Sequence, residues 1–500
     1  MFKNLSLSLL CLFLVIFLAV DLYGSGVAIS NTGSRAVALG SAFRAIASDW
    51  SAMYWNPAGL TQISKFHFGF NTGFIKPVGT LKPLNLTPDP FSPPPGFMGL
   101  NNGFTINETA VVEKTFIIPS FGFVYSLNPR ISVGLSLYVP FGLGADWNLF
   151  NINQIYGYNN LVSDEYTEYE TSSDLQIVDI HPTVAFKISD KISVGAGVSI
   201  VQSKITIRKV SFSDNPLIGT PLGLRHIAKF VSDALLDGSG SGYGFNVGIL
   251  IKPSDKLSIG ASFRYYGDIS LDGDATINTF FPYNKGKYEL IETMLADTTL
   301  DNATRAQLMQ AYAVYSGQTK LSETNISAKM PLPIEVGGGV ALRPSPKLLI
   351  SADVSWTQWS TWDIITINFD KDLDEDGELD KTELVENWTD VLKISVGAEY
   401  TIFQNDDKSA VLRLGFNNDG SPVPDETISP TIPDIGKKNA ILAGLGVKLG
   451  KIELGANYEI ITTPDRTVTE VGTHNGEVTN LPGTYTLKVT AITMGLTYNF

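Results

Sequence analysis

Ser189-Asp190-Lys191 leading into Ile192-Ser193-Val194-Gly195-Ala196, and Lys252-Pro253-Ser254-Asp255-Lys256 leading into Leu257-Ser258-Ile259-Gly260-Ala261, decide how the rest of this sequence is read. Each is a short polar turn followed by a strand whose apolar residues alternate with small or polar ones. The pattern recurs at 126–135, 343–352 and 450–456. Pro, Asn, Asp and Gly supply the backbone angles of tight turns, and period-two alternation marks a strand with two unlike faces. Long polar stretches separate these hairpins at 75–110, 141–175, 204–242, 269–322, 370–390, 417–438 and 461–484. Seven long and six short connections join fourteen antiparallel strands, with both ends on the side of the short turns. Loops sorted by length in this way mark a transmembrane β-barrel, with short periplasmic turns and long external loops. A soluble sandwich has no reason to sort them.

The last strand repeats the argument. Ile492, Met494, Leu496, Tyr498 and Phe500 alternate with Thr493, Gly495, Thr497 and Asn499, which suits lipid outside and a lumen inside. An open sheet edge in hydrocarbon would leave N–H and C=O groups unpaired, so the sheet is expected to close. Composition agrees. Of the 500 residues 17% are charged and 11% aromatic, and the formal charge of −14 with no basic stripe argues against nucleic-acid binding. Cys11 is the only cysteine, which excludes disulfide scaffolds, zinc–thiolate sites and a thiol nucleophile from the rest. His67, His181, His226 and His474 are scattered and read as ordinary polar positions. With no nucleophile elbow, phosphate loop or metalloprotease helix, no enzyme is expected.

Lys3, the apolar run 5–20 and the small residues Gly24-Ser25-Gly26-Val27-Ala28 read as an export signal, assigned to 1–26. Residues 27–60 are rich in Gly, Ala and Ser, which suits packing in a confined space rather than a lipid-facing wall. They are assigned to a hatch plugging the lumen, and 61–500 to the barrel. Helical spacing returns at 290–315 and more weakly at 222–236, as an apolar vestibule or a simple loop cap.

Arg35-Ala-Val-Ala-Leu-Gly-Ser-Ala-Phe-Arg44 through Asp49, followed by Asn56-Pro57-Ala58-Gly59-Leu60, resembles the hatch of the FadL/OmpP1/TodX family of outer-membrane hydrophobic-compound transporters. So do Leu332-Pro333 running into Asp353–Ser360, and Arg413–Phe416 with 419–434. Ser48-Asp49 departs mildly from the paired acids of many relatives. The resemblance implies a fourteen-stranded, monomeric bacterial outer-membrane barrel with an N-terminal hatch. It also implies passive uptake of long-chain fatty acids or monoaromatic hydrocarbons, with lateral exit at an inward wall kink. Long-chain fatty acid is the first expectation, among outer-membrane lipid and lipopolysaccharide. Monoaromatic hydrocarbon uptake, or a non-transporting adhesin or secretion component, is the alternative. Asn56, Pro57 and Ala58 are the hatch motif the resemblance carries over, and with Arg35 and Arg44 the candidate substrate and hatch residues. Arg35, Arg44 and Lys65 are candidate carboxylate partners, with a structural role the stronger reading.

One loop adds a separate expectation. Asp372, Asp374, Asp376, Glu378, Asp380 and Glu383 stand at positions 1, 3, 5, 7, 9 and 12 of an EF-hand-like loop, with Gly377 at position 6. Structural Ca2+ in the fifth external loop is expected, against a plain acidic loop. A strand precedes it, and 383–388 is read as the start of an exiting helix.

Overall fold

The structure is a computed structural model. It describes residues 26–84, 109–149, 171–215, 229–281, 284–317, 319–372, 377–432 and 434–500, with isolated positions between 216 and 228. The export-signal assignment falls outside these, apart from Gly26.

Fourteen strands form the wall, each antiparallel to its neighbours. They are β1 Phe66–Pro83, β2 Phe116–Asn128, β3 Ile131–Trp147, β4 Thr171–Ser189, β5 Ile192–Asp214, β6 Lys229–Ser254 and β7 Leu257–Tyr266. The circuit continues with β8 Glu335–Ser345, β9 Leu348–Thr357, β10 Val391–Gln404, β11 Lys408–Asp419, β12 Lys438–Leu449, β13 Ile452–Thr462 and β14 Gly483–Asn499. β14 pairs with β13 on one side and β1 on the other, from His67↔Asn499 to Pro83↔Gly483, so the sheet closes. Closure gives every spanning backbone group a partner in lipid. Alternation works as the sequence implies: Ile180, Val184, Phe186 and Ile188 of β4 face outward, while Asp179, His181 and Ala185 are buried inside. All six short turns lie where expected.

The strands outrun the membrane. β5 and β6 remain paired as far as Asp214↔Lys229, and Ile269–Phe280 pairs with Thr319–Met330 above β7 and β8. These stretches carry polar residues on their outer side because water, not lipid, surrounds them. The sequence there lacks the membrane alternation and reads as loop at 204–242 and 269–322, although the backbone continues as paired strand. The expected helix at 222–236 is wrong in its described second half, since 229–236 is strand. The 290–315 expectation holds: α-helices Lys285–Leu295 and Asn302–Val314 form a hairpin, capped at their N-termini by Asn284 and Asp301.

The N-terminal segment lies inside. Helices α1 Ser34–Ala38 and α2 Ala52–Trp55 and the 3-10 helix Pro57–Gln62 contact strands on opposite sides of the barrel, β11 to β14 on one and β3 to β6 on the other. Small residues let it fit. A Cβ on Gly195 would overlap the Pro57 carbonyl, one on Gly260 the Arg44 carbonyl, and one on Gly415 the Gly40 amide. These three strand glycines are therefore seats for the plug backbone.

Candidate functional site

The wall has a break, and it starts at a proline. β2 and β3 pair from Asn128↔Ile131 up to Phe121↔Leu137 and then part. Above that point β2 stays with β1, while β3 stays with β4 through a bulge between Tyr138 and Phe141. Pro140 in the bulge has no N–H to offer a ladder. Residues 138–141 are all buried, so β3 loses its alternation and bends into the lumen. The gap closes again higher up, where the Phe116 ring lies against Gly144 and Lys114 pairs with Asp146 at 3.0 Å.

The freed edge of β3 is taken by the start of the plug. Ile29 N donates to Pro140 O at 2.8 Å, and Gly142 N donates to Val27 O at 3.0 Å, which makes an Ala28↔Phe141 bridge. Asn31 continues across to β2, donating from Nδ2 to Ile118 O at 3.3 Å. Residues 27–31 thus form a strap over the lumen side of the break.

Above the strap is an aromatic chamber. Trp359, Trp362 and Trp388 pack at 4.5–5.7 Å between ring centroids. Phe141 lies 6.1 Å from Trp359 and 5.5 Å from Tyr266. Val27 and Leu332 join the same buried cluster. A Cβ on Gly26 would press against Trp359 and Trp388 at 2.8 Å, so the strap fills the chamber. Beside it in the external loop is the buried Glu386, whose carboxyl burial pushes up to about 8. The helical hairpin outside buries Ile291, Leu308 and Val314 against Leu217 and Tyr315, and leaves Leu290, Met294 and Met309 exposed.

Below the strap the plug is held by charge. Arg35 grips Glu399 bidentately at 2.8 and 3.1 Å and also donates to Ser48. Arg44 pairs with Asp353 and Glu335. Arg413 bridges Glu399 and Glu453 at 2.8 and 3.1 Å. Lys65 is exposed with a φ of 62°. Asn56 Nδ2 donates to Arg44 O at 2.8 Å and to Ile249 O at 3.0 Å, while its Oδ1 accepts from Ala58 N at 3.2 Å. This one side chain fastens the plug to β6 and caps the 3-10 helix that opens on Pro57. Asn56 and Ala58 are fully buried.

Sequence reading missed two histidines. His67 Nε2 accepts from Trp50 N at 3.2 Å, and its Nδ1 meets Asn499 Oδ1 at 2.7 Å. His181 reaches Ser199 and Asn246 at 3.0 Å each. Their signal was parity: both stand on the lumen face of their strands. Below the plug lies a polar cavity of about 220 Å³, lined by Arg35, Ser48, Asp49, His67 and Glu453 among others.

The acidic loop sits on a hairpin, Ile364–Phe369 with Lys381–Val385. Asp374 and Asp376 lie outside the described residues. Asp372 Oδ2 accepts from Gly377 N at 2.8 Å, and Gly377 has φ 102°. The exiting helix is absent: 381–385 is strand because it pairs back onto 364–368. Glu383 is thereby carried along the strand to within 3.7 Å of His474. Glu378 and Asp380 remain in the loop.

A family model described as outer membrane protein transport protein (OMPP1/FadL/TodX) matches residues 22–500. The chain belongs to the OMPP1/FadL/TodX family. A putative outer membrane protein of Neisseria meningitidis serogroup B is 24% identical over 441 residues, 87% of this chain and 85% of its own. A long-chain fatty acid transport protein of Escherichia coli is 23% identical over 430 residues, 83% and 82% of the two chains. The fold matches a Pseudomonas aeruginosa FadL homologue with TM-score 0.69 at 18% identity, covering 95% of this chain and all of that one. It matches the Pseudomonas putida toluene transporter TodX with TM-score 0.63 at 15% identity, covering 95% and 100%. This FadL-type barrel is therefore a bacterial outer-membrane transporter that passes hydrophobic compounds without catalysis.

Proposed function

We propose that this transporter takes up small, neutral aromatic hydrocarbons in preference to long-chain fatty acids, and releases them sideways through the β2–β3 break. The aromatic chamber carries this reading. Its described lining holds no free cation, and the lumen arginines Arg35, Arg44, Arg264 and Arg413 are each matched by a carboxylate. Apolar transfer yields about 0.8 kcal/mol per CH₂. An unpaired carboxylate brought into the chamber costs several kcal/mol, the gain from roughly five methylenes. Buried Glu386, which keeps its proton near neutral pH, supplies no positive charge to offset that cost. Arg35 and Arg44 are then plug anchors rather than head-group receptors.

The exit follows from the same logic. Cargo passing straight down would meet the plug and then a polar cavity, whereas the break lies beside the chamber and faces lipid. In this reading 1–26 is removed on export, and 27–60 is the hatch, with Asn56, Pro57 and Ala58 as its fixed hinge and the strap as its moving end. The barrel works as a monomer between lipopolysaccharide and phospholipid. Fold relatives named for toluene and a sequence relative named for fatty acids both support hydrophobic cargo. Calorimetry of the detergent-purified protein with toluene and with oleate tests the choice. Saturable toluene binding tighter than oleate binding is expected; the reverse order returns the cargo to fatty acids.

We also propose that the 372–383 loop binds Ca2+ through Asp372, Asp374, Asp376, the Glu378 carbonyl and Asp380, with Glu383 recruited by local rearrangement. The Asp372–Gly377 bond supports it, because it closes the turn the spacing requires. Binding should be of modest affinity and stabilise the external hairpin.

A further inference from the structure

The floor of the aromatic chamber is polar, and three of its atoms have no protein partner among the described residues. They are Asp179 Oδ1, Tyr138 OH and Arg264 Nε, all on buried side chains. Tyr138 and Asp179 are cross-strand partners at the root of the β3 bend. Asp179 Oδ2 accepts from Ser199 Oγ at 2.8 Å and from Tyr266 OH at 3.0 Å, leaving the other oxygen unused. The Tyr266 ring itself belongs to the chamber, packed on Phe141. Arg264 is held over the Tyr54 ring at 3.9 Å, with Nη2 donating to Tyr54 O and Nη1 3.8 Å from Glu335, while its buried Nε has no hydrogen-bond partner among the described residues. Tyr138 and Tyr266 each lie within electrostatic reach of both Asp179 and Arg264, and the Tyr138 hydroxyl stands beside the Asp179 carboxylate.

A buried acceptor and a buried donor left unpaired are costly, each by an amount comparable to the desolvation of that group. One group that both donates and accepts satisfies them together. A hydroxyl does this: it donates to Asp179 Oδ1 and accepts from Arg264 Nε or Tyr138 OH. An ammonium only donates, a carboxylate only accepts and would face Asp179, and a hydrocarbon does neither.

We propose that Asp179, Tyr138 and Arg264 form a hydroxyl-recognition site at the inner end of the chamber, and that the cargo class extends to phenolic aromatics. The ring occupies the tryptophan-lined space once the strap withdraws, and the hydroxyl is read at the floor. This rests on the chamber being the ligand path, as proposed above.

The test is calorimetric titration of the full-length protein in detergent with toluene and with p-cresol, which differ by one hydroxyl. p-Cresol is expected to bind about tenfold more tightly. Tyr138→Phe should cut the ratio of p-cresol to toluene affinity several-fold, and Asp179→Asn should do the same. If Asp179→Asn does not fold, Tyr138→Phe decides the matter alone. Toluene binding with no advantage for p-cresol, or an advantage that survives Tyr138→Phe, overturns the hydroxyl site and leaves the aromatic reading standing. Binding of neither compound overturns both.

Discussion

Locking the strap to the bent strand should stop transport, and the lock can be built from one residue pair. Ala28 and Phe141 face each other with hydrogen bonds only at their flanking residues. That is the narrow type of antiparallel pair, with Cα atoms about 4.5 Å apart, inside the range a disulfide spans. Two backbone hydrogen bonds contribute about 1 kcal/mol each, and the buried Val27 side chain about 2 kcal/mol more. Opening the strap therefore costs about 4 kcal/mol, an open fraction of about one in a thousand. A Cys pair at 28 and 141 removes even that fraction. The mature chain is expected to contain no other cysteine, so no competing disulfide forms. In proteoliposomes, toluene entry through the oxidised double mutant should fall at least tenfold and return on reduction. The reduced double mutant is the control for loss of the Phe141 ring. Full-rate entry through protein shown by mass spectrometry to be cross-linked would refute the strap as the gate.

Other outcomes follow from the same geometry. Arg44→Ala leaves the buried Asp353 without its ion-pair partner, and Glu335 with Arg264 alone, and should destabilise the seated plug by about 3–5 kcal/mol, read as faster protease cleavage near 44. Gly195→Val places a side chain where the Pro57 carbonyl sits, so the plug should unseat and single-channel conductance should appear. The Glu386 carboxyl is raised from 4.5 to about 8, so the folded state holds its proton where the unfolded chain has lost it. That stability is complete below about pH 4.5 and is lost as pH rises towards 8; Glu386→Gln should flatten the slope of melting temperature across this window. Millimolar Ca2+ should raise the melting temperature of the wild type but not of Asp372→Asn. An equal rise in both would remove the loop as the site.

The two histidines and the acidic loop show where sequence reasoning stops. Alternation told which face of β1 and β4 carries His67 and His181, but not that the plug amide of Trp50 would stand opposite the first and Asn246 opposite the second. Spacing alone gave the loop an exiting helix; pairing of 381–385 with 364–368 replaced it with a strand, because a neighbouring backbone competes with local preference. The same competition made strands of 229–236 and 269–280, whose polar outer faces answer to water above the membrane.

Period-two patterning, turn chemistry and loop-length sorting by themselves determined the strand count, the closed barrel, the inward and outward faces and the small-residue plug. These are local signals, repeated along the chain and read one segment at a time. Only the tertiary structure decided that β3 leaves β2 at Leu137, that residues 27–31 take its edge, and that three tryptophans from 359–388 meet Phe141 from β3. The last two depend on contacts between residues more than a hundred positions apart, and no periodicity within a strand encodes which distant neighbour its freed edge will find.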